Sequence, residues 1–196
     1  MTAHTLDSFD GNRSAAHRRA HSRKHVLRYR LAVVAPSAIE VVRHIGGWLC
    51  DRTMAGWDVT AVITDTADAR SLEILGVAVL ELEASLATSA HDTWPHALAV
   101  APELYDQDSR VRTGVLGCLD QGSAEVAMWG DAMPDELDDR LGTVCHRLSV
   151  AARAFKGCAL AAAGLPTADI EYSEVFRSGE LSVTGRWGGT DLLPVA

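Results

Sequence analysis

The chain has 196 residues, 47% hydrophobic and 22% charged, which is the composition of one globular domain. At this length a fold removes roughly 70% of its unfolded surface from water, so no metal or disulfide scaffold is needed. The longest apolar run, residues 159–165, is far short of the roughly 20 residues that span a bilayer, and no membrane association is expected.

The formal charge of −8 is unevenly placed. Residues 1–30 carry seven cationic side chains against Asp7 and Asp10, a balance of +5, and the remainder carries −13. Residues 1–28 are poor in apolar side chains and rich in Ser, His and Arg, the composition of a disordered basic tail. Such a tail folds back on an acidic body or reaches a nucleic acid, although the −13 body opposes the second. His17, His21 and His25 would share one helix face, but Arg18, Arg19, Arg23 and Lys24 repel a metal cation there. The apolar segment 31–35 is too short for a signal peptide. Cys50, Cys118, Cys145 and Cys158 form no C-x-x-C pair and sit in helical apolar patterns, as small reduced core residues of a cytoplasmic protein would. Sixteen arginines against two lysines match the bias of a GC-rich bacterial genome.

Residues 29–196 read as a single α/β domain. Segment 30–35 is a short buried strand, and Ser37 with Glu40 forms an S-x-x-E capping box that starts a helix through Ile39, Val42, Ile45, Trp48 and Leu49. Gly56 falls where a left-handed residue ends that helix. Strand two is 59–64; a short helix through Leu72 and Leu75 stops at Gly76, and strand three follows at 77–82. Segment 97–101 is a fourth strand or a helix, its alanines suiting both. Pro102 opens one helix that Gly122 closes, and 124–129 is the fifth strand.

Beyond Pro134 the spacing of Leu137, Leu141, Val144, Leu148, Ala152, Phe155 and Ala159 predicts one long helix over 134–163, with acidic residues early and basic residues late. Segments 170–176 and 181–187 alternate apolar with polar, and Ser178-Gly179 between them predicts a terminal β-hairpin. The fold expected is a three-layer Rossmann-like or flavodoxin-like mostly parallel sheet, with a long C-terminal helix and that hairpin.

The segment Gly46-Gly47-Trp48-Leu49-Cys50-Asp51-Arg52-Thr53-Met54-Ala55-Gly56-Trp57-Asp58-Val59-Thr60 resembles one in uncharacterised actinobacterial proteins of Rossmann-like type. The resemblance implies the fold and carries no activity. The helix after the first strand, followed by a strand of this type, is also similar to catalytically degenerate RecA-like accessory domains.

In such sheets ligands bind beyond the carboxyl ends of the strands. The turn Ala35-Pro36-Ser37-Ala38-Ile39-Glu40 has no glycine, which excludes the dinucleotide and nucleoside triphosphate loops that need close backbone approach. No serine sits in a G-x-S-x-G elbow, and Cys145 with His146 diverge if both are helical. What remains is an acidic rim of Asp65, Asp68, Glu103 and Asp131, with His91 and His96 as the general-base candidates. Gly46-Gly47 in mid-helix costs roughly 2 kcal/mol against alanine, so something must approach the backbone there. A neighbouring element or a docked partner, with Trp48 as anchor, would explain it.

Function is therefore expected to be that of a non-catalytic binding or interaction protein, its ligand and cofactor undetermined and its partner another protein or a second copy. One alternative is an enzyme using the acidic rim, with a divalent cation or a small-molecule substrate. Another is a nucleic-acid accessory acting through the tail.

Overall fold

The structure, a computed structural model, describes residues 28–87, 95–130, 133–179 and 193–194. The basic tail with His17, His21 and His25, together with His91, Trp94, Asp131 and the expected strand 181–187, lies outside the described residues.

Strand β1 (Arg30–Ser37) buries every second residue, and Ser37 then caps helix α1 (Ala38–Met54), its hydroxyl accepting from the Glu40 amide at 3.3 Å. β2 (Asp58–Asp65), α2 (Ala69–Ile74), β3 (Ala78–Glu81) and α3 (Leu82–Ala87) follow. Next come β4 (Ala97–Val100), α4 (Pro102–Gln107), α5 (Ser109–Gln121), β5 (Glu125–Trp129) and α6 (Asp135–Asp138). The chain closes with β6 (Leu141–Arg147), α7 (Val150–Ala162), β7 (Ser173–Gly179) and β8 (Leu193–Pro194). Gly56, Gly76 and Gly122 each take the positive φ that ends a helix before the next strand.

The strands form one sheet in the order β3-β2-β1-β4-β5-β7-β6-β8. Pairings from β3 to β5 are parallel, with Val33 opposite Ala61 and Ala99. Those of β7 with β5 and β6, and of β6 with β8, are antiparallel. Chain direction from β1 outward reverses at β1/β4, the switch point that opens a crevice at the carboxyl edge. One face carries α1, α2 and α7 over a core of Val33, Ile45, Trp48, Leu49, Ile63, Leu72 and Phe176. The other carries α4, α5 and α6 over Val100, Tyr105, Val115, Met128 and Leu137. The expected mixed α/β class and mostly parallel sheet are thus observed.

Three expectations are corrected. The long helix over 134–163 is instead α6, strand β6 and α7. Gly142 disfavours helix, β-branched Thr143 and Val144 favour extended backbone, and Ser149 starts a new helix by accepting from the Ala152 amide at 3.0 Å. The helical spacing of Leu141, Val144 and Leu148 concealed this, since the strand buries Leu141 and Val144 too. The single helix after Pro102 is two, because Asp108 is extended and caps α5 through the Arg110 amide at 2.8 Å. Ser178 and Gly179 are no hairpin turn: they are strand residues opposite Gly142 and Leu141, and β7 is paired on both sides.

No described helix is long and apolar enough to cross a membrane. Of the cysteines, Cys50 and Cys118 are buried as expected, Cys145 is half-buried, and Cys158 is exposed on α7, contrary to the core reading. Burial first, then the Asp51 and Glu174 charges, push the Cys50 thiol up to about 11 and leave it a thiol at neutral pH.

Candidate functional site

The described rim residues do not converge. Asp65 is exposed and its Oδ1 accepts from the Ala67 amide at 2.9 Å, closing the turn after β2. Asp68 precedes α2 without capping it, and its carbonyl accepts from the Ser71 hydroxyl at 2.7 Å. Glu103 is exposed and accepts from Gln107 at 3.0 Å along α4. Among the described residues no group of three or more His, Cys, Asp or Glu is placed to hold a metal ion.

His96 lies at the wrong edge. It precedes β4, where its Nδ1 accepts from the Arg30 amide at 3.1 Å and its ring meets Tyr29 edge-on, with centroids 5.3 Å apart. That is the amino end of the sheet, so it cannot serve as base for a ligand at the carboxyl end. Sequence proximity to His91 and the strand ends suggested otherwise, but β4 runs parallel to β1 and His96 precedes its first residue.

Gly46, Gly47 and Trp48 are buried, which corrects their reading as a docking surface. The close approach is internal. A Cβ on Gly47 would meet the Leu148 methyls at 2.6 Å and Glu174 Oε1 at 3.1 Å. Glu174 accepts from the Gly47 amide at 2.9 Å and the Trp48 amide at 2.8 Å, in mid-helix. Lys156 of α7 completes the cluster, donating to Glu174 Oε1 at 2.6 Å and to the Arg43 carbonyl at 2.7 Å. Burial pushes the Glu174 carboxyl up, and the Lys156 ammonium and the two amides pull against it. All of its partners are donors, so the carboxylate form is the one this geometry accepts.

This buried cluster is the floor of a cleft beyond the carboxyl end of β5. The cavity has a volume of about 650 Å³. Its walls are the first half of α1, Gly130 after β5, the start of β7, Lys156 and Leu160 of α7, and the segment from Leu165 to Glu171. The pairing of β5 with β7 ends at Trp129 opposite Phe176, while β7 continues along β6 to Ser173, and this stagger leaves the space open.

His44 lines the cleft, and Glu40 stands one helical turn before it on α1, its Oε1 3.6 Å from His44 Nε2. The same oxygen accepts from the indole N–H of the buried Trp129 at 3.2 Å. Trp129 thus anchors the Glu40 carboxylate beside His44, at ion-pair rather than hydrogen-bond distance from the imidazole. Arg43, also lining the cleft, has an exposed guanidinium with no ion-pair partner among the described residues. The capping box marked Glu40 from sequence, but only as a structural residue, and His44 stood four residues on with no motif to single it out. Their i,i+4 spacing on the helix of the first βα turn was the available signal.

No family model and no curated protein matches this sequence. Solved structures share its fold. The crystal structure of the A40926 pseudoaglycone deacetylase superposes with a TM-score of 0.56 at 13% identity, covering 76% of this chain and 96% of that one. A deacetylase of the teicoplanin biosynthesis pathway gives 0.50 at 11% identity, covering 76% and 97%, as does its triple mutant. The expectation of a non-catalytic binder is corrected by this finding, since these occurrences of the fold are deacetylases. The enzyme alternative fits better.

Proposed function

We propose that the protein is an enzyme that hydrolyses an N-acyl group from a small molecule held in the cleft at the carboxyl edge of the sheet. The observation that carries this reading is His44, which lines a cavity large enough for a small substrate with the Trp129-anchored Glu40 carboxylate 3.6 Å from its Nε2. A fold shared with deacetylases supports it. The rim version of the enzyme, with Asp65, Asp68 and a cation, has no converging ligand set among the described residues.

In this reading His44 takes a proton from water as the water oxygen bonds to the amide carbonyl carbon. Glu40 stabilises the imidazolium that results, and Arg43 faces the negative charge developing on the carbonyl oxygen. His44 then returns its proton to the amide nitrogen as the carbon–nitrogen bond breaks, leaving a carboxylate and an amine. Lys156 and Glu174 touch no reacting atom; they hold α1, β7 and α7 together beneath the cleft.

The test is release of acetate and of a new primary amine from a panel of N-acetylated amino sugars, N-acyl amino acids and N-acyl peptides. His44→Ala is expected to lower kcat on the accepted substrate by about 10²–10⁴, with an unchanged circular dichroism spectrum. Glu40→Gln should lower it less, because the imidazole stays in place and loses only its charge partner. Full activity in His44→Ala, or no release across the panel, overturns the proposal.

A further inference from the structure

The cleft lies in the plane of the sheet. Glu174 and Phe176 of β7 face the layer of α1 and α7, where Phe176 packs on Trp48 and Glu174 holds the amides of α1. Val175 and Arg177 alternate with them and face the other layer, where Arg177 donates to the Asp138 carbonyl of α6 at 3.1 Å. Thr143, opposite Arg177 on β6, shares that side. Lys156, Leu160 and Glu174 from the first face and Thr143, Val175 and Arg177 from the second line one cavity. A space walled from both faces of a sheet is a missing stretch of strand. β5 would fill it by running on, but Gly130, just past its last residue, takes φ 89°, which ends extended backbone there.

The facing edge of β7 is open. The Leu148 amide donates to the Tyr172 carbonyl at 2.9 Å, one place beyond the last pairing of β6 with β7. In an antiparallel ladder backbone groups alternate sides, so Tyr172, Glu174 and Phe176 turn theirs to β6, and Ser173, Val175 and Arg177 turn theirs the other way. Arg177 meets Met128 of β5 there. Ser173 lies beyond the end of β5 and lines the cleft, and among the described residues none bonds to its amide or its carbonyl.

We propose that the cleft takes its substrate as an added strand: an extended N-acyl peptide antiparallel to β7, one of its residues exchanging both backbone bonds with Ser173. The N–H and C=O of a single trans amide point in opposite directions, so a lone acetamido group on a sugar gives Ser173 one bond. Two bonds need two successive amides, which an acylated peptide supplies. Its alternate side chains enter the two faces of the cavity, whose volume of about 650 Å³ holds a short peptide. That the peptide carries an acyl group rests on the hydrolytic reading; the pairing does not.

Isothermal titration calorimetry with N-acetyl-trialanine amide, on the full chain carrying His44→Ala so that the probe stays intact, tests this. Binding is expected, and methylating the peptide nitrogens one at a time should weaken it about tenfold or more at one position, or at two positions two residues apart, and spare the intervening one. Ser173→Ala should bind as the parent does, because the backbone makes the contact. Ser173→Pro removes the amide hydrogen, leaves the bonds of Tyr172 and Glu174 to β6, and should bind about tenfold or more weaker. No peptide binding, or equal affinity for every methylated peptide, overturns the proposal whether or not Ser173→Pro folds. Hydrolysis of N-acetylated amino sugars by a wild-type protein that ignores the peptide would overturn it and leave the hydrolytic reading standing. The alternating pattern in a wild-type protein that releases no acetate would support the added strand and remove the hydrolysis.

Discussion

The two ends of the sheet are built on different rules. From β1 to β5 the strands are parallel, β1, β2, β4 and β5 bury apolar residues, and Ser37, Gly56, Gly76 and Gly122 make junctions between strand and helix. From β6 to β8 the strands are antiparallel, and α7, which joins β6 to β7 in the chain, packs on α1 and α2 and is tied to β7 by a buried ion pair. The parallel end is held by many small, replaceable contacts. The antiparallel end adds a buried polar cluster to its apolar contacts through Leu148, Ala152, Ala159, Leu160 and Phe176, and that cluster also forms the floor of the cleft. A defect at one end should therefore be graded and at the other abrupt.

Breaking the ion pair gives the sharpest contrast. Lys156→Met removes the cation and leaves Glu174 buried against two amides, a change expected to cost about 3–5 kcal/mol in urea denaturation. The pH dependence has a definite sign. Glu174 already has a raised carboxyl in the native protein, pushed up by burial, and loss of Lys156 raises it further. A native state that holds the proton more tightly than the unfolded chain gains stability as pH falls. The defect should thus be largest at neutral pH and shrink in acid; a pH-independent loss would mean that Glu174 is not charged in the wild type.

A smaller break lies where α1 meets the β6–α7 junction. Asp51 Oδ2 lies 2.8 Å from His146 Nε2 and accepts from the Ser149 amide at 3.1 Å. Burial pushes the Asp51 carboxyl up, but the hydrogen bonds from Ser149 and His146 outweigh it and hold the group below the usual carboxylate range. The stabilisation is present above the unfolded value near 4 and is lost as pH falls through the native one. Asp51→Asn keeps the shape and removes the charge. It is expected to cost about 1–2 kcal/mol at pH 7 and to flatten the acid limb of the stability profile, as thermal melts between acid and neutral pH will show.

The same contrast explains what could be read in advance. Ser37, Gly56, Gly76 and Gly122 act locally, so their residue types announce the junctions they make. Around Leu141, Val144 and Leu148 the apolar spacing fits a helix and a strand alike, and the decision comes from pairing with β7, where Leu141 faces Gly179 and Val144 faces Phe176. Likewise the Gly46-Gly47 pair correctly signalled a close approach, yet Glu174, which makes it, is 127 residues from Gly47. His44 was hidden for another reason: its meaning comes from Trp129, 89 residues from Glu40, whose indole fixes the carboxylate beside it. The acidic rim was legible as composition and misleading as a site, because Asp65, Asp68 and Glu103 each satisfy a neighbour in their own turn or helix.

The gentlest test compares two helical glycines. Gly47→Ala gains helix propensity worth about 1 kcal/mol but drives a methyl to 2.6 Å from the Leu148 side chain and 3.1 Å from the Glu174 carboxylate. Overpacking of this kind costs about 1–3 kcal/mol, so the net change should be a loss of up to about 2 kcal/mol, and it should weaken the Glu174 contacts to α1. Gly114 in α5 has nothing within 4 Å of an added Cβ and ordinary helical backbone. Gly114→Ala should therefore stabilise by about 0.5–1 kcal/mol, the full propensity gain with no steric debit. Opposite signs in paired urea titrations would locate the constraint in the antiparallel end. Equal stabilisation by both would mean that Leu148 and Glu174 can move aside, and that the cleft floor is softer than its hydrogen bonds imply.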